Sequence, residues 1–318
     1  MTARNEEKHI RQAVGSILGQ SLGHFELIVV DDCSSDSTRE IVQDMAQCDP
    51  RITLLCTSAR GRVACLNAAL AAARAPYVAI MDADDLAHPD RLALQCAFLD
   101  RHPGVVALGG AVTYIADSEA AIPLALEGRK VTEKPSKPRS RLDGFPMWPL
   151  PIMHSAAMMR TEAVLDAGGY RKALLHQEDT DLFLRLEELG EVRNLPQVLH
   201  YYRQHTDNTS RRHFLAQCAS RQLALVLARR RRLGLSDWAS GHGRWATWGI
   251  LTVRDPLSAL RGVAGTMFLA VRQYAKRRRL LQGLQKAGAP GAALPAEAAI
   301  IAQANGGNCI PSAEEPAR

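Results

Sequence analysis

Short apolar runs alternate with amphipathic stretches along the first two thirds of the chain. The runs are rich in β-forming residues and are bounded by turn-forming residues, a pattern typical of buried strands. Between them, apolar residues recur every three or four positions, which predicts helices. The strands predicted in this way are 25–30, 52–56 and 77–81, with one helix beginning near Asp36, Ser37 and Thr38 and another running through Leu66, Leu70 and Ala73. Strands that alternate with helices favour an α/β fold with a mostly parallel sheet flanked by helices.

The alternation continues to a predicted domain end near Thr206 and then gives way to helices alone. The later elements predicted from the pattern are a helix after Pro89, a strand over 105–115, a loop over 127–141, a helix over 178–189, a strand over 192–202 and helices over 214–232, 245–253 and 256–279. The end of the chain is rich in Ala, Gly and Pro, a composition typical of disorder. We therefore expect an α/β domain over 1–205, a basic helical extension over 206–286 and a disordered tail over 287–318.

Charge is distributed unevenly between these parts. The 318-residue chain is 47% hydrophobic and 23% charged, an ordinary composition for a soluble protein. Residues 1–205 carry 22 Lys and Arg against 27 Asp and Glu, whereas residues 206–318 carry 17 against 6. An acidic body joined to a basic extension indicates an anionic partner, either a membrane surface or a nucleic acid.

Neither a disulfide framework nor a membrane span is predicted. The seven cysteines are scattered without a C-x-x-C pair or the spacing of a zinc site, so we expect reduced thiols in a cytosolic compartment. No apolar run approaches the roughly 18 residues of a membrane span, and the first residues have no apolar segment resembling a signal peptide. We expect a cytoplasmic protein.

Carboxylates follow two of the predicted strands. Asp31 and Asp32 come directly after the first predicted strand, and Asp82, Asp84 and Asp85 come after the third. In open α/β sheets, ligands bind beyond the carboxyl ends of the strands. A D-x-D triplet alone is weak, because aspartates are common in loops. At the end of a buried strand, however, it favours a divalent cation that neutralises a leaving diphosphate.

Three segments of the sequence resemble the family-2 glycosyltransferases with the GT-A fold. They are NEEKHIRQAVGSILGQSLGHFELIVVDDCSSDST, RGRVACLNAALAAARAPYVAIMDADDLAHPDRL and GGYRKALLHQEDTDLFLRL, in this order. The resemblance implies an inverting, Mg²⁺- or Mn²⁺-dependent transfer of a sugar from a nucleotide-diphosphate sugar to an acceptor hydroxyl. It further implies a UDP-sugar as the most common donor and a glycan or lipid-linked acceptor in cell-surface polysaccharide biosynthesis. The domain over 1–205 is then the catalytic domain.

The resemblance assigns donor-side roles by position. Asp32 is the counterpart of the residue that binds the donor's base, and Asp84 is that of the metal ligand. Asp82 faces the ribose or the metal's water shell, and Thr2, Arg62 and Arg203 lie where the family approaches the nucleotide or its diphosphate. The alternatives are an Asx-type turn for Asp31 and Asp32 and a solvated side chain for Arg62. We expect Asp85 to cap the turn that follows it.

The acceptor-side roles fall on a second cluster. Asp179, in the E-D pair, is the counterpart of the base that takes the proton of the acceptor hydroxyl. Glu178 orients the acceptor or the base, and His154 lines the acceptor side. The alternatives are an acidic pair favoured by the dipole of a helix N-terminus and a histidine that belongs to the core. We expect Asp181, further along the helix, to be structural.

The sequence also departs from the family pattern. A family member normally opens with a full apolar strand, and here Met1 stands where that strand should end, so we expect either a late start codon or a truncated chain. Arg4 replaces an aromatic residue that stacks on the base. The Q-x-x-R-W motif of processive members is absent from the sequence, which favours addition of a single sugar.

Other functions stay open at this point. A nucleotidyltransferase uses a similar sheet and carboxylate-bound Mg²⁺, but it needs a Gly-rich basic loop where this chain has TARNEEKH. An inactive domain that serves only as an interaction module is the second alternative. In the helix predicted over 256–279, arginines are interleaved with aliphatic residues instead of stacking aromatics, which favours an anionic membrane surface over nucleic acid.

Overall fold

Strands and helices alternate in the structure as the sequence pattern predicts. The computed structural model describes residues 1–57, 61–116, 152–204, 214–237, 239, 247–250 and 254, all within one compact unit, Met1–Thr266. The strands are β1 (Thr2–Ala3), β2 (Leu27–Asp31), β3 (Ile52–Cys56), β4 (Tyr77–Ala79), β5 (Leu86–Ala87), β6 (Val105–Ala116), β7 (Met158–Arg160) and β8 (Glu191–Gln204). The helices are α1 (Ile10–Leu18), α2 (Thr38–Cys48), α3 (Arg62–Ala72), α4 (Arg91–Arg101), α5 (Thr161–Asp166), α6 (Glu178–Leu189) and α7 (Phe214–Arg232).

Several predicted elements lie outside the described residues. They are the loop over 127–141, the helix over 256–279 and the tail from 287. Of the helix predicted over 245–253, only residues 247–250 are described, and they are helical. Among the helices of the described ranges, none has the length and apolar composition that a bilayer crossing requires.

The first sheet is parallel and contains β1, β2 and β3 in that order. Leu27 to Asp31 of β2 lie opposite Ile52 to Cys56 of β3, and Thr2 lies opposite Val30. One face of α1 covers this sheet. It carries Ile10, Ala13, Val14 and Ile17, which recur at helical spacing and are all buried. The carboxyl end of β2 therefore stands at one fixed edge, where Asp31 and Asp32 emerge.

The second sheet mixes strand directions, in the order β4-β7-β6-β8-β5. The long strands β6 and β8 run parallel, whereas β7 pairs antiparallel with both β4 and β6, and β5 pairs antiparallel with β8. β5 and β7 are only two and three residues long. Strands this short carry no readable periodicity, so the sequence pattern predicted neither of them.

The largest buried cluster lies between α6 and the second sheet. Leu182, Phe183 and Leu186 of α6 are almost completely buried there, together with Met159 and Val192 of the sheet. On another side of α6, α7 is packed through a smaller cluster that includes Leu223, Ala224 and Leu227. This packing fixes the start of α6, where Glu178 and Asp179 stand, relative to the strand ends.

Candidate active site

The acidic residues predicted from the sequence gather at one edge of the two sheets. Asp82 lies three residues after Ala79, the last residue of β4, and forms an isolated parallel bridge with Thr2 of β1. The side chains of Asp82, Asp84 and Asp85 each offer an oxygen within 4.8 Å of the others. Three carboxylate oxygens this close are the hard ligands that Mg²⁺ and Mn²⁺ prefer, so these residues fit a divalent cation.

Asp85 does not cap the following turn, which corrects the prediction. It is completely buried, where it accepts a hydrogen bond from the Arg203 backbone N–H at 2.8 Å and lies 2.7 Å from His200 Nε2. Burial, with the neighbouring charges of Asp84 and Asp82, raises the pKa of Asp85 to about 9. Its partners are more than a hundred residues away in sequence, so a local turn pattern held no sign of them.

The Arg203 side chain lies beneath the acidic loop. Its Nε donates to the Asp84 carbonyl at 2.7 Å, and one terminal nitrogen donates to Gln12 Oε1 at 3.0 Å. Arg203 is completely buried, so these bonds hold the backbone of Asp84 in place. Its assignment to the donor diphosphate stays a prediction.

Arg62 links the two acidic clusters. It begins α3, and its guanidinium lies 2.9 Å from Asp82 Oδ1 and 3.1 Å from Glu178 Oε1. The charge of Asp82 is the main reason why the pKa of Arg62 is raised above its ordinary value. Burial by itself would raise the pKa of Asp82, but Arg62 and the other nearby groups outweigh it and lower that pKa to about 2. Asp82 is therefore a carboxylate at any physiological pH.

His154 lies behind Arg62, on the floor of the same site. Its Nδ1 is 3.4 Å from the Arg62 guanidinium, and its Nε2 is 2.9 Å from the Tyr170 hydroxyl. Burial and the charge of Arg62 lower the pKa of His154 to about 3. The ring is thus neutral, and because a guanidinium only donates, Nδ1 accepts and Nε2 carries the proton.

Glu178 and Asp179 form the first turn of α6. Glu178 is buried, and its Oε2 has no hydrogen-bond partner among the described residues. Asp179 is half-buried and accepts a hydrogen bond from Thr180 N–H at 2.7 Å. Burial and the charge of Glu178 raise the pKa of Asp179 to about 6. A carboxylate with a pKa in this range is well matched to general-base catalysis near neutral pH.

Asp32 holds Gly61, the residue that precedes α3. Its Oδ1 accepts a hydrogen bond from Gly61 N–H at 2.8 Å, and its Oδ2 is 3.9 Å from the Arg4 guanidinium. Gly61 has a φ of 99°, a backbone conformation that favours glycine. Asp31 accepts from Ser34 N–H at 3.3 Å. The structure thus brings both aspartates to the strand edge.

Two further residues emerge only from the structure. Tyr170 orients His154, and Asn67 of α3 holds Tyr170 by bonds to its backbone N–H and carbonyl at 2.9 and 2.8 Å. Tyr170 lies in the GGY of the third segment quoted above, which was the available signal. Asp181 is a structural residue, because it is completely buried between Arg171 and Arg185.

Comparison with known proteins decides the family. A profile of the family described as Glycosyl transferase family 2 matches residues 1–169, more than half of the chain. The chain belongs to glycosyltransferase family 2. Both the resemblance and the class of enzyme predicted from the sequence are thereby confirmed.

Two relatives of this chain also bear glycosyltransferase names. It is 32% identical over 239 residues to EpsE of Bacillus subtilis, which bears a glycosyltransferase name, and the match covers 74% of this chain and 82% of the relative. It is 29% identical over 212 residues to the amylovoran biosynthesis glycosyltransferase AmsE of Erwinia amylovora, covering 65% of this chain and 76% of the relative.

Solved structures confirm the predicted GT-A fold. S. aureus TarS in complex with UDP superposes with a TM-score of 0.54 at 18% identity, covering 79% of this chain and 68% of that chain. The mannosyltransferase PcManGT from Pyrobaculum calidifontis, in complex with GDP-Man and Mn²⁺, superposes with a TM-score of 0.50 at 20% identity, covering 96% of this chain and 78% of that chain.

Proposed function

We propose that this family-2 glycosyltransferase inverts the sugar that it transfers, moving it from a nucleotide-diphosphate sugar to an acceptor hydroxyl, with Asp179 as the base. The observation that carries the proposal is the position of Arg62. One guanidinium reaches both Asp82, of the strand-end cluster, and Glu178, the neighbour of Asp179. Donor-side and acceptor-side carboxylates are therefore separated by a distance that a single sugar ring can span.

The reaction is a direct displacement at the anomeric carbon. The acceptor oxygen forms a bond to that carbon on one face while the bond to the diphosphate oxygen breaks on the other, so the configuration inverts. The proton of the acceptor hydroxyl goes to Asp179, and the bonding electrons leave with the nucleoside diphosphate. A base with a pKa of about 6 is mostly deprotonated at pH 7, ready to take that proton.

Glu178 and His154 position the acceptor. Glu178 Oε2 is buried without a partner among the described residues, so a second hydroxyl of the acceptor can donate to it. Satisfying such a buried acceptor atom favours binding of a polyhydroxylated ligand. The neutral His154 ring, held by Tyr170, orients Arg62 without adding charge to the site.

The donor binds on the other side of Arg62. Asp32 is the candidate for binding the nucleobase of the donor, and Thr2 for binding its nucleotide. Asp82 and Asp84 are the candidates for holding the divalent cation, which when bound neutralises the leaving diphosphate. Asp85 is less suited as a ligand, because both of its oxygens already have protein partners. A UDP-sugar is the proposed donor; the solved structures of TarS with UDP and with UDP-GlcNAc support it. The AmsE relationship supports a polysaccharide as the product.

Nuclear magnetic resonance of the reaction products tests the proposed stereochemistry. The purified chain is incubated with UDP-sugars, Mn²⁺ and simple sugar acceptors, and the anomeric configuration of the product is determined. We expect α-linked donors to give β-configured products. Retention of configuration contradicts Asp179 as the base of a direct displacement, and an inert chain that binds no nucleotide favours the interaction module instead.

A further inference from the structure

The helix α7 belongs to the extension beyond residue 205, yet it is packed along α6, the helix that carries Asp179. In its first half, the Ser220 hydroxyl donates to the Leu175 carbonyl at 2.8 Å, just before α6 begins. At its end, the Arg231 guanidinium lies 2.9 Å from Glu188 Oε1 of α6. The two helices therefore run side by side in the same direction, and the part of α7 around Ser220 is level with the start of α6.

The bond from Ser220 holds an uncommon stretch of backbone that leads into α6. His176, which follows Leu175, has a φ of 73°, a left-handed conformation that is rare for a residue other than glycine. The next residue, Gln177, donates its N–H to Leu174 O at 2.8 Å. Such a conformation persists where its surroundings hold it, and the completely buried Ser220 supplies one of the bonds that do so. α7 thus takes part in placing the first turn of α6.

Arg221 follows Ser220 and carries a positive charge towards that first turn. It is half-buried, and it lies eight residues before Arg229, where the run of four arginines that ends α7 begins. Burial lowers the pKa of Arg221, and the charge of Asp179 acts against burial and raises that pKa. A guanidinium whose pKa responds to a carboxylate lies within electrostatic reach of it. The register of the two helices and this interaction both place Arg221 beside the proposed base.

Asp179 faces charged and titratable groups from several elements. Burial and the charge of Glu178, its neighbour on α6, raise the pKa of Asp179, whereas the charge of Arg62 on α3 lowers it. Tyr170 also faces Asp179, but burial raises the pKa of its hydroxyl, so the ring is uncharged. The guanidinium of Arg62 is already paired with two other carboxylates. Arg221 brings a second positive charge to Asp179 from the α7 side.

The attraction between Arg221 and Asp179 acts on both partners. Because the charge of Asp179 raises the pKa of Arg221, the charge of Arg221 lowers the pKa of Asp179. Arg221 thereby opposes Glu178, which raises the same pKa. If Arg221 were neutral, Asp179 would titrate at a higher pH, and a smaller fraction of it would be a carboxylate at pH 7.

We propose that Arg221 is a positioning residue of the sugar transfer, which acts from α7 to keep Asp179 deprotonated and ready to take the proton of the acceptor. The inference rests on the proposed function in one respect, the role of Asp179 as the base. It makes α7 a working part of the site, because Ser220 helps to place the start of α6 and Arg221 adjusts the charge state of the base that α6 carries.

Carbon-13 NMR of the aspartate carboxyl groups in the full chain tests the role of Arg221 without donor or turnover. The Asp179 signal is identified as the one that Asp179→Asn lacks. Arg221→Met keeps a long side chain without the charge, and Arg221→Lys keeps the charge. Arg229→Met is the matched control, because it removes an exposed cation about 12 Å further along the same helix.

We expect Arg221→Met to move the titration of Asp179 to higher pH by at least about 0.5, the size of one Coulomb interaction at moderate distance. Arg221→Lys and Arg229→Met should leave that titration close to its wild-type position. An unmoved titration in Arg221→Met overturns the proposal. So does an equal displacement in Arg221→Lys, which would point to packing instead of charge, or in Arg229→Met, which would point to the net charge of the chain.

A kcat profile connects this titration with the reaction. In Arg221→Met the acidic limb should move to higher pH with the carboxyl, so that kcat falls about twofold near pH 6 and stays close to wild type near pH 8.5. An equal loss of kcat at both pH values overturns the role of the charge. If the NMR titration moves while the limb does not, Asp179 is not the base and the proposed function fails. An NMR titration that does not move contradicts the role of Arg221 alone.

Discussion

Acidic residues that are close in sequence have different roles at the site. Glu178, Asp179 and Asp181 all lie in the first turn of α6, yet their surroundings differ. Glu178 is paired with Arg62, Asp179 is half-buried with a raised pKa, and Asp181 is paired with two arginines. Among the described residues, Asp179 has no ion-pair partner in direct contact, and its pKa is raised to about 6, which is why the role of base is assigned to it.

Asp179→Asn should lower kcat by a factor of about 10² to 10⁴, because the amide cannot take a proton in the transition state. Donor affinity should be nearly unchanged, since the change is isosteric and lies on the acceptor side. The matched control is Asp166→Asn on the exposed end of α5, which should leave kcat at the wild-type value. Loss of donor affinity with unchanged kcat would show that Asp179 is a binding residue.

The pH dependence of kcat should report on the same carboxyl. A base acts only when deprotonated, so kcat should rise with pH and level off above about 6, the raised pKa of Asp179. The charge of Glu178 contributes to this raised pKa, so Glu178→Gln should move the acidic limb to lower pH. The measurement is a kcat profile for both forms at saturating donor. If Glu178→Gln leaves the acidic limb of the kcat profile unchanged, that limb reports the titration of a group other than Asp179.

At the scale of elements, the structure explains which predictions succeeded. The helices over 178–189 and 214–232 have the predicted bounds because each has a long periodic pattern, and the strand over 52–56 has them because its apolar run has clear ends. The aspartates at 31–32 and 82–85 were found because they follow strands, whereas Glu178 and Asp179 were found through the resemblance of their segment to the family. The contact of Asp85 with His200 and the bridge formed by Arg62 were not predicted, because both depend on pairing between distant elements that no local pattern encodes.

Asp181→Ala should destabilise the fold without changing the chemistry. The side chain pairs with Arg171 and Arg185, all three are nearly buried, and Arg185 also donates to Gly169 O at 2.7 Å. Removing the carboxylate leaves the buried Arg185 guanidinium without its counter-charge, while Arg171 keeps its ion pair with Asp237, at a cost of about 3–5 kcal/mol. Chemical denaturation measures that cost, and kcat at a temperature where the variant is folded should stay near wild type. A large loss of kcat in the folded variant would contradict a purely structural role.

At the scale of the whole molecule, the sequence beyond residue 205 is basic, whereas residues 1–205 carry more acidic than basic residues. In 256–279, apolar residues fall at spacings of three or four, namely Leu257, Leu260, Val263, Met267, Val271 and Tyr274, and four consecutive cations follow at 276–279. The pattern predicts an amphipathic helix whose cations meet anionic headgroups, while packing of this helix on the protein is the alternative. Attachment to a membrane surface would suit a lipid-linked acceptor.

Sedimentation with liposomes tests this attachment. The full chain should bind vesicles that contain anionic lipid, bind less as salt rises to about 0.5 M through screening, and bind less when truncated before Pro256. Neutral vesicles of the same size are the control. Equal binding to both kinds of vesicle, or binding to neither, would indicate that the apolar face of the helix predicted over 256–279 packs on the protein instead.

Metal-dependent donor binding is the measurement that tests the central claim most directly. Calorimetric titration with UDP and UDP-sugars, with and without Mn²⁺, compares the wild type with Asp84→Ala. The account predicts that the wild type binds the nucleotide only with the cation, and that Asp84→Ala loses this binding while keeping its fold. Identical, cation-independent binding in both forms, or wild-type turnover in Asp84→Ala, would contradict the proposal that the acidic loop after β4 holds the metal and the donor.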